Sequence, residues 1–359
     1  RAAELPARAH ERIPGLTAPV AVRYDARSVP HIVAANQLDA IRALGFVVAR
    51  DRQFQLELQA RAGAGTLTEL IGAAALPLDR ETRQLGLPDA AERRFAALAD
   101  TAWTRRLLEP YAQGINAWLD ASPSRPLEYQ LLGRTPARWR AVDAMHFFGR
   151  MGWTLAYSEL EELQASARRR IGPAAADALF PRNSPIQEPI QPNGAVAPRA
   201  LDGHLPAPGT PPRAPRHFAC ATGCDPGAGD DAIGSNNWAV APARTRDGYA
   251  LLAGDPHLEL SLPSIWYEAH LIVPDSLDVY GVTIPGAPGI VLGFNRDVAW
   301  SFTNAEADVL DRYAEVVDDS LAPTRYRLDG TWRPLRQRVE RYVDATGRLI
   351  AADTLRFTH

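Results

Sequence analysis

Residues 231–241 read DAIGSNNWAVA, and the Gly234–Ser235 bond in their middle decides how the chain on either side is to be read. Upstream, residues 183–230 hold ten of the chain's 30 prolines, all between Pro185 and Pro226. Such a composition cannot bury enough apolar surface to offset its ordering entropy, so 183–234 reads as a spacer. Downstream the chain turns strand-rich at once. NWAVAPA, a TRDG turn, YALLAG, IWYEAHLIV, LDVYGVTI and GIVLGF follow one another, each bounded by Gly, Pro or Asp.

Further from the junction the pattern differs. Residues 20–35, VAVRYDARSVPHIVAA, are β-branched runs broken by Asp25 and Pro30, which predicts a short strand pair. From Leu38 the apolar residues Ile41, Leu44, Val48, Phe54 and Leu58 recur at helical spacing, predicting one long helix or two abutting ones over 38–61. Amphipathic stretches at 89–99, 103–120, 141–151 and 155–171 make the first 180 residues mainly helical.

Composition narrows the chemistry. With 359 residues, 46% of them hydrophobic, the chain can form a sizeable core. A formal net charge of −3, without blocks of like charge, leaves no electrostatic footprint for nucleic acid or an anionic membrane. No run of about 18 apolar residues spans a bilayer, and the start RAAELPARAHERIPGL lacks the order of a signal peptide, which would lie before Arg1. The two cysteines, Cys220 and Cys224, both fall in the spacer, which is compatible with an oxidising compartment. All 39 basic residues are arginine, so Schiff bases, Ser-Lys dyads and a P-loop lysine are excluded within the chain. GxSxG, HExxH and paired CxxC are absent as well, removing the usual nucleophile elbow and the common zinc sites.

A serine without a base is a poor nucleophile, but a chain-terminal serine carries its own. Its α-amino group, with a reference pKa of roughly 7.7–8.0, can accept the hydroxyl proton at neutral pH. Making that terminus requires cutting Gly234–Ser235, which the hydroxyl can do by attacking the preceding carbonyl to form an ester that water opens. Glycine at 234 leaves the attack unhindered. Taken alone, a Gly-Ser pair is more often a linker running into a strand, with the asparagines capping a turn. The surrounding sequence decides between the two.

GSNNWAVAPARTRDGYALLAGDPHLEL resembles the start of the β chain in the penicillin acylase family of N-terminal-nucleophile amidohydrolases, which includes cephalosporin, aculeacin-type and acyl-homoserine lactone acylases. Similar stretches run through most of the chain: VPHIVAANQLDAIRALGFVVARDRQFQLELQARAGAGTLTELIG, SELEELQASARRRIG, and VTIPGAPGIVLGFNRDVAWSFTNAEADVLDRY. The resemblance implies an α+β fold, the αββα sandwich of N-terminal-nucleophile hydrolases with a mainly helical α-chain region. It divides the chain into an α-chain region at 1–182, a spacer at 183–234 and the N-terminal part of a β chain from Ser235 to the end. It also implies a periplasmic or secreted location, α and β chains from one precursor, and a small acyl amide as substrate.

Residue by residue, the resemblance makes Ser235 the nucleophile and Gly234–Ser235 the cleavage site. His257, in GDPHLEL, matches the histidine of cephalosporin and homoserine-lactone acylases, where penicillin G acylases carry glutamine. Asn304 matches the residue whose backbone N–H forms half of the oxyanion hole; the second donor, an asparagine side chain, would lie beyond His359. Trp153, Leu258 and Phe302 match positions near the acyl pocket, although an aromatic at such spacing is also ordinary core. Glu159, Asp308, Leu310 through its carbonyl, and Asp311 match a structural calcium site, a set of oxygen donors suited to a hard cation. The plainer reading of those acids is a solvated cluster near Arg312. No organic cofactor is implied. Asp51 and Arg52 read as a structural helix pair, and His10, His31, His146 and His270 show no partner pattern. Two other readings stay open, an uncut scaffold or binding protein that keeps the fold and an ordinary triad hydrolase, the latter disfavoured by the missing GxSxG.

Overall fold

A computed structural model describes residues 10–122, 124–156, 160–180, 235–258, 260–304, 310 and 313–358. They form two compact units, one of 10–156 with 235–358 and the other of 160–180.

The larger unit is organised on helix α1 (Gln37–Ala64). Its N-terminus is tied twice. Asn36 accepts the Asp39 N–H at 2.9 Å, and the buried Asp39 carboxylate accepts from the Thr17 hydroxyl at 2.6 Å, the Thr17 N–H at 3.0 Å and Arg42 at 2.8 Å. Gly65, at φ 64°, stops the helix in the left-handed conformation that a side chain disfavours. Ile41, Leu44, Phe46, Val47 and Val48 are all buried, so this stretch is enclosed on every side rather than lying on a surface. At Arg52 the backbone leaves the helix (φ −141°, ψ 25°). Of the two alternatives for 38–61, the second is found, two abutting helical pieces that meet at Arg52.

The short helices α2 (Thr68–Ile71), α3 (Leu76–Gln84) and α4 (Leu87–Ala97) follow, then α5 (Trp103–Ala121), α6 (Leu127–Leu132) and α7 (Asp143–Ala156). Helix α5 buries Leu108, Tyr111, Ile115 and Trp118, three to four residues apart, against α1. The Phe46 and Trp118 rings meet edge to face at 5.6 Å. Backbones touch where both helices lack side chains: a Cβ on Gly114 would lie 1.8 Å from the Arg42 carbonyl oxygen, and one on Gly45 2.3 Å from that of Tyr111. The smaller unit holds α8 (Leu160–Ile171) and α9 (Pro173–Leu179), separated by Gly172 and joined by an Arg168–Asp177 ion pair. No helix among the described residues is long and apolar enough to cross a membrane.

Strands β1 (Ala21–Tyr24) and β2 (Pro30–Val33) form the expected antiparallel pair. From Ser235 onward come the hairpin β3 (Ser235–Val240) and β4 (Leu251–Pro256), then β5 (Tyr267–Val273), β6 (Leu277–Thr283), β7 (Leu292–Phe294) and β8 (Ala299–Trp300). A six-stranded sheet runs β1-β2-β5-β6-β7-β8, antiparallel except where β2 lies parallel to β5. In β5 the residues Tyr267, Ala269, Leu271 and Val273 are buried and alternate with partly exposed ones; the first three join the core around α1. On the other face His31 Nδ1 meets His270 Nδ1 at 2.9 Å, and His270 Nε2 lies 2.7 Å from Asp278. Sequence reading found no partner for these histidines because a parallel register between distant segments leaves no local pattern.

Sequence reading also did not extend to the hairpins β9 (Arg325–Leu328) with β10 (Thr331–Pro334) and β11 (Arg336–Val343) with β12 (Leu349–Phe357). Asp329-Gly330, both at positive φ, turns the first of them. The second is held to α3 by charge. Arg80 forks onto Asp353 at 2.8 and 3.0 Å, and Arg83 reaches Glu340 at 3.2 Å while its guanidinium sits 4.7 Å over the Tyr342 ring. The pairing expected of Asp51 and Arg52 is corrected: Asp51 takes Arg50 at 2.7 Å and the Tyr267 hydroxyl at 2.7 Å, and Arg52 turns elsewhere.

Two outcomes follow for stability. Gly114→Ala forces α1 and α5 apart and is expected to destabilise the unit by about 1–3 kcal/mol, read from equilibrium unfolding; wild-type stability would refute this crossing. Burial raises the Asp39 pKa, but hydrogen bonds from Thr17, Asn36 and Ala18 outweigh it and hold the carboxyl below the usual range. A depressed folded pKa gives stability that is complete above the unfolded value of about 3.9 and lost as pH falls through the folded one. Asp39→Asn should therefore flatten the acid side of the stability curve, and urea unfolding between neutral and acid pH reads the change; a curve merely displaced in parallel would contradict it.

Candidate active site

The β3–β4 hairpin builds the site. Its register sets Ser235 opposite Pro256, Asn236 opposite Asp255 and Asn237 opposite Gly254. Facing residues of an antiparallel pair share a side of the sheet with Cβ atoms roughly 4.5–5.5 Å apart. Ser235, the first residue of β3, is half-buried, and Pro256 brings no N–H to the ladder beside it. His257 comes next. Its Nε2 lies 3.0 Å from Asp255 Oδ2 and 3.5 Å from Asn236 Nδ2.

Residues 301–304 run against the same hairpin. Asn237 Nδ2 donates to the Ser301 carbonyl at 2.9 Å, and Gly254 is bare where a Cβ would fall 1.7 Å from Ser301 Oγ. Further along, Asn304 Nδ2 donates to the Leu155 carbonyl at 2.8 Å, so its side chain is occupied by the last turn of α7. That turn also carries Trp153, which is half-buried. Phe302 and Leu258 are 60% and 41% exposed, so neither is core in the described chain. One hairpin thus carries both Ser235 and His257, with the His257 ring on the side of Asp255 and Asn236, and the segment bearing Phe302 and Asn304 is tied to it through Asn237 and Gly254.

The loop from His257 to β5 is anchored from the helical side. At the break in α1, Arg52 Nη1 donates to the Ser264 carbonyl at 3.0 Å, and Gln55 Nε2 donates to the same oxygen at 3.1 Å. Beside it, burial and then the Asp51 charge push the Tyr267 phenol up, keeping it a neutral donor. Asp255, Asn236, Asn237 and Gln55 were not singled out from sequence. The first three lie within the GSNN and GDPH stretches and could have been found there; Gln55 and Ser264 are linked only by the fold.

Gly234 lies outside the described residues, as do Glu159, Asp308 and Asp311 of the expected calcium set. Leu310 is described and half-buried. Among the described residues no group of three or more His, Cys, Asp or Glu could hold a metal ion. His146 is buried, with Asp143 at 3.4 Å, and His10 is exposed; neither approaches this hairpin through any hydrogen bond or ion pair described.

Comparison with known proteins places this geometry in a family. Penicillin acylase 2 proenzyme of Pseudomonas sp. (strain SE83) is 35% identical over 316 residues, which cover 84% of this chain and 38% of that protein. Acyl-homoserine lactone acylase QuiP of Pseudomonas aeruginosa is 33% identical over 336 residues, 92% of this chain and 38% of its own length. The chain therefore spans well under half the length of these relatives. A solved structure, the thermostable penicillin G acylase from Alcaligenes faecalis in tetragonal form, is 28% identical and aligns with 50% of this chain and 98% of its own at a TM-score of 0.41. The family model for penicillin amidase matches residues 19–359, and with the hairpin of Ser235 and His257 inside that span, the chain belongs to the penicillin amidase family.

Proposed function

We propose that this chain is the N-terminal part of a self-processing acylase precursor that hydrolyses an amide to release an acyl side chain. The observation that carries the reading is the position of Ser235 on β3 opposite Pro256, with His257 the residue that follows the facing strand, in a member of the penicillin amidase family. The name proenzyme borne by the relative from strain SE83 supports a cut precursor. On this reading 1–182 is the α-chain region, 183–234 the spacer and 235–359 the beginning of the β chain, folded as an αββα sandwich in the periplasm or outside the cell.

Cleavage of Gly234–Ser235 frees the serine amine. Ser235 Oγ then attacks the substrate carbonyl and passes its proton to that amine. The tetrahedral intermediate collapses by expelling the leaving amine, which takes the proton, and an acyl-serine ester remains. Water opens the ester by the same path in reverse. The Asn304 backbone N–H is one oxyanion donor; its side-chain bond to Leu155 would hold that peptide in place. Trp153, Leu258 and Phe302 line the acyl side. Glu159, Asp308, Asp311 and the Leu310 carbonyl, all oxygen donors, would hold a structural Ca²⁺, and no step of the reaction runs through it.

The full-length gene product should appear as two chains, one beginning at Ser235, by intact mass. Ser235→Ala should remain a single chain without amidase activity; an uncut protein that still hydrolyses amides would refute the mechanism, and an uncut inactive wild type would favour a scaffold. His257→Ala should lower kcat/KM by roughly 10²–10⁴ on whichever of phenylacetyl, glutaryl or long-chain acyl amides the enzyme accepts. Activity equal to wild type would remove His257 from the site.

A further inference from the structure

We propose that His31 and His270 form a site for one divalent transition-metal ion, Cu²⁺ in preference to Zn²⁺, which ties strand β2 to strand β5. The inference does not depend on the reading of Ser235. The two histidines are register partners on neighbouring parallel strands, and their Nδ1 atoms meet at 2.9 Å on the sheet face turned away from the α1 core. Each ring is held from its far side by a carboxylate. Asp278 Oδ1 lies 2.7 Å from His270 Nε2, and Asp25 Oδ2 lies 3.7 Å from His31 Nε2. A carboxylate behind the imidazole is the arrangement that orients histidines ligating a metal through the opposite nitrogen. Both acids stay ionised: a hydrogen bond from His270 holds the Asp278 carboxyl below the usual range, and one from the Val29 N–H does the same for Asp25.

Charge and access suit a cation. Asp25, Asp278 and Glu268 stand around the pair with Arg27 and Arg296, so the acids outnumber the bases. The Tyr280 hydroxyl is taken by Glu268 and Arg27 and adds no ligand. No group of three donors among the described residues could hold a metal, so water fills the remaining positions; the imidazoles keep 30% and 19% of their side-chain surface open to it. Imidazole binds Cu²⁺, Ni²⁺ and Zn²⁺, and Cu²⁺ most tightly. With metal–nitrogen bonds of about 2.0–2.1 Å, nitrogens 2.9 Å apart subtend about 90° at the ion, the cis angle of a tetragonal Cu²⁺ site, whereas tetrahedral Zn²⁺ asks for about 3.3 Å. The rings tilt so that both lone pairs meet the ion, and a hydrogen shared between them leaves as a proton. Because β2 precedes Gly234–Ser235 and β5 follows it, the ion would also join the two chains of a cut protein.

The test titrates copper(II) chloride into desalted full-length protein, with zinc chloride in parallel. One Cu²⁺ should bind per chain at least about tenfold more tightly than Zn²⁺, and saturation should raise Tm by at least about 2 °C. The electron paramagnetic resonance spectrum should be tetragonal, with couplings from two imidazole nitrogens. Asp278→Asn, which leaves both ligands in place, should weaken Cu²⁺ binding about 10- to 100-fold. His31→Gln and His270→Gln should each weaken it further and abolish the rise in Tm. No bound Cu²⁺, or binding and a Tm rise that persist in both histidine variants, would overturn the site. A wild-type spectrum without two nitrogen couplings would overturn it even where a variant fails to fold, and tighter binding of Zn²⁺ than of Cu²⁺ would overturn the tetragonal assignment.

Discussion

The parallel pairing of β2 with β5 is the contact on which the larger unit depends. His31, Ile32 and Val33 align with His270, Leu271 and Ile272, joining a strand that precedes α1 to one that follows the β3–β4 hairpin. More than 230 positions of sequence separate the partners, yet closing so long a loop costs little more than closing a shorter one, because the entropy grows only with the logarithm of length. Local turns do not set this register. It is specified on one face by the fit of Tyr267, Ala269 and Leu271 against the α1 core, and on the other by the meeting of His31 and His270. A slip of one residue would exchange the two faces, burying Glu268 and His270 and exposing the core residues.

Once β5 is placed, the candidate site has little freedom. A lone two-stranded hairpin is marginal in water, and β3 and β4 are exposed along most of their length, with Trp238 at 64% and Leu251 at 58%. Tertiary ties hold the hairpin: Asn237 to the Ser301 carbonyl, and the close seat of Gly254 on Ser301. The loop leaving the hairpin at His257 is caught seven residues later, where Arg52 and Gln55 share the Ser264 carbonyl. That catch explains the break in α1. An unbroken helix would satisfy the backbone at residue 52, but it would aim Arg52 elsewhere.

Much of this was legible in the sequence, and the remainder fails for stateable reasons. β2, β5 and α5 carry period-2 or 3.6-residue apolar patterns that survive because each buries one face, whereas the strands β3 and β4 are legible from their sequence though largely exposed. β11 reads RQRVERYV, and this hairpin's contact with α3 is made by charged residues that resemble a solvated surface until Arg83 is brought to Glu340 on β11 and Arg80 to Asp353 on β12. The short α2 offers too few turns for any period, and is capped instead by Asp79 from α3, whose carboxylate takes the Leu67 and Thr68 N–H groups at 2.8 Å each. In the site, Ser235, His257 and Asn304 came from motif likeness. The grip of Asp255 on His257 needed only the two-residue spacing of D-P-H at the end of a strand.

If Ser235 is the proposed terminal nucleophile, its place in the ladder bears on how its nitrogen could act. Within a strand, a backbone N–H is normally spent on its neighbour, and a buried one left unpaired is costly. A serine whose nitrogen must become a base cannot have that nitrogen committed to a sheet. Its partner Pro256 lacks an N–H, which can leave the Ser235 carbonyl, but not the Ser235 nitrogen, without a ladder partner there. The following residues, Asn236 to Val240, remain paired and hold the terminus in place. On the proposed reading, the amine freed from Gly234 would stay on the residue that carries the hydroxyl, at the end of a strand that its other pairs hold in place.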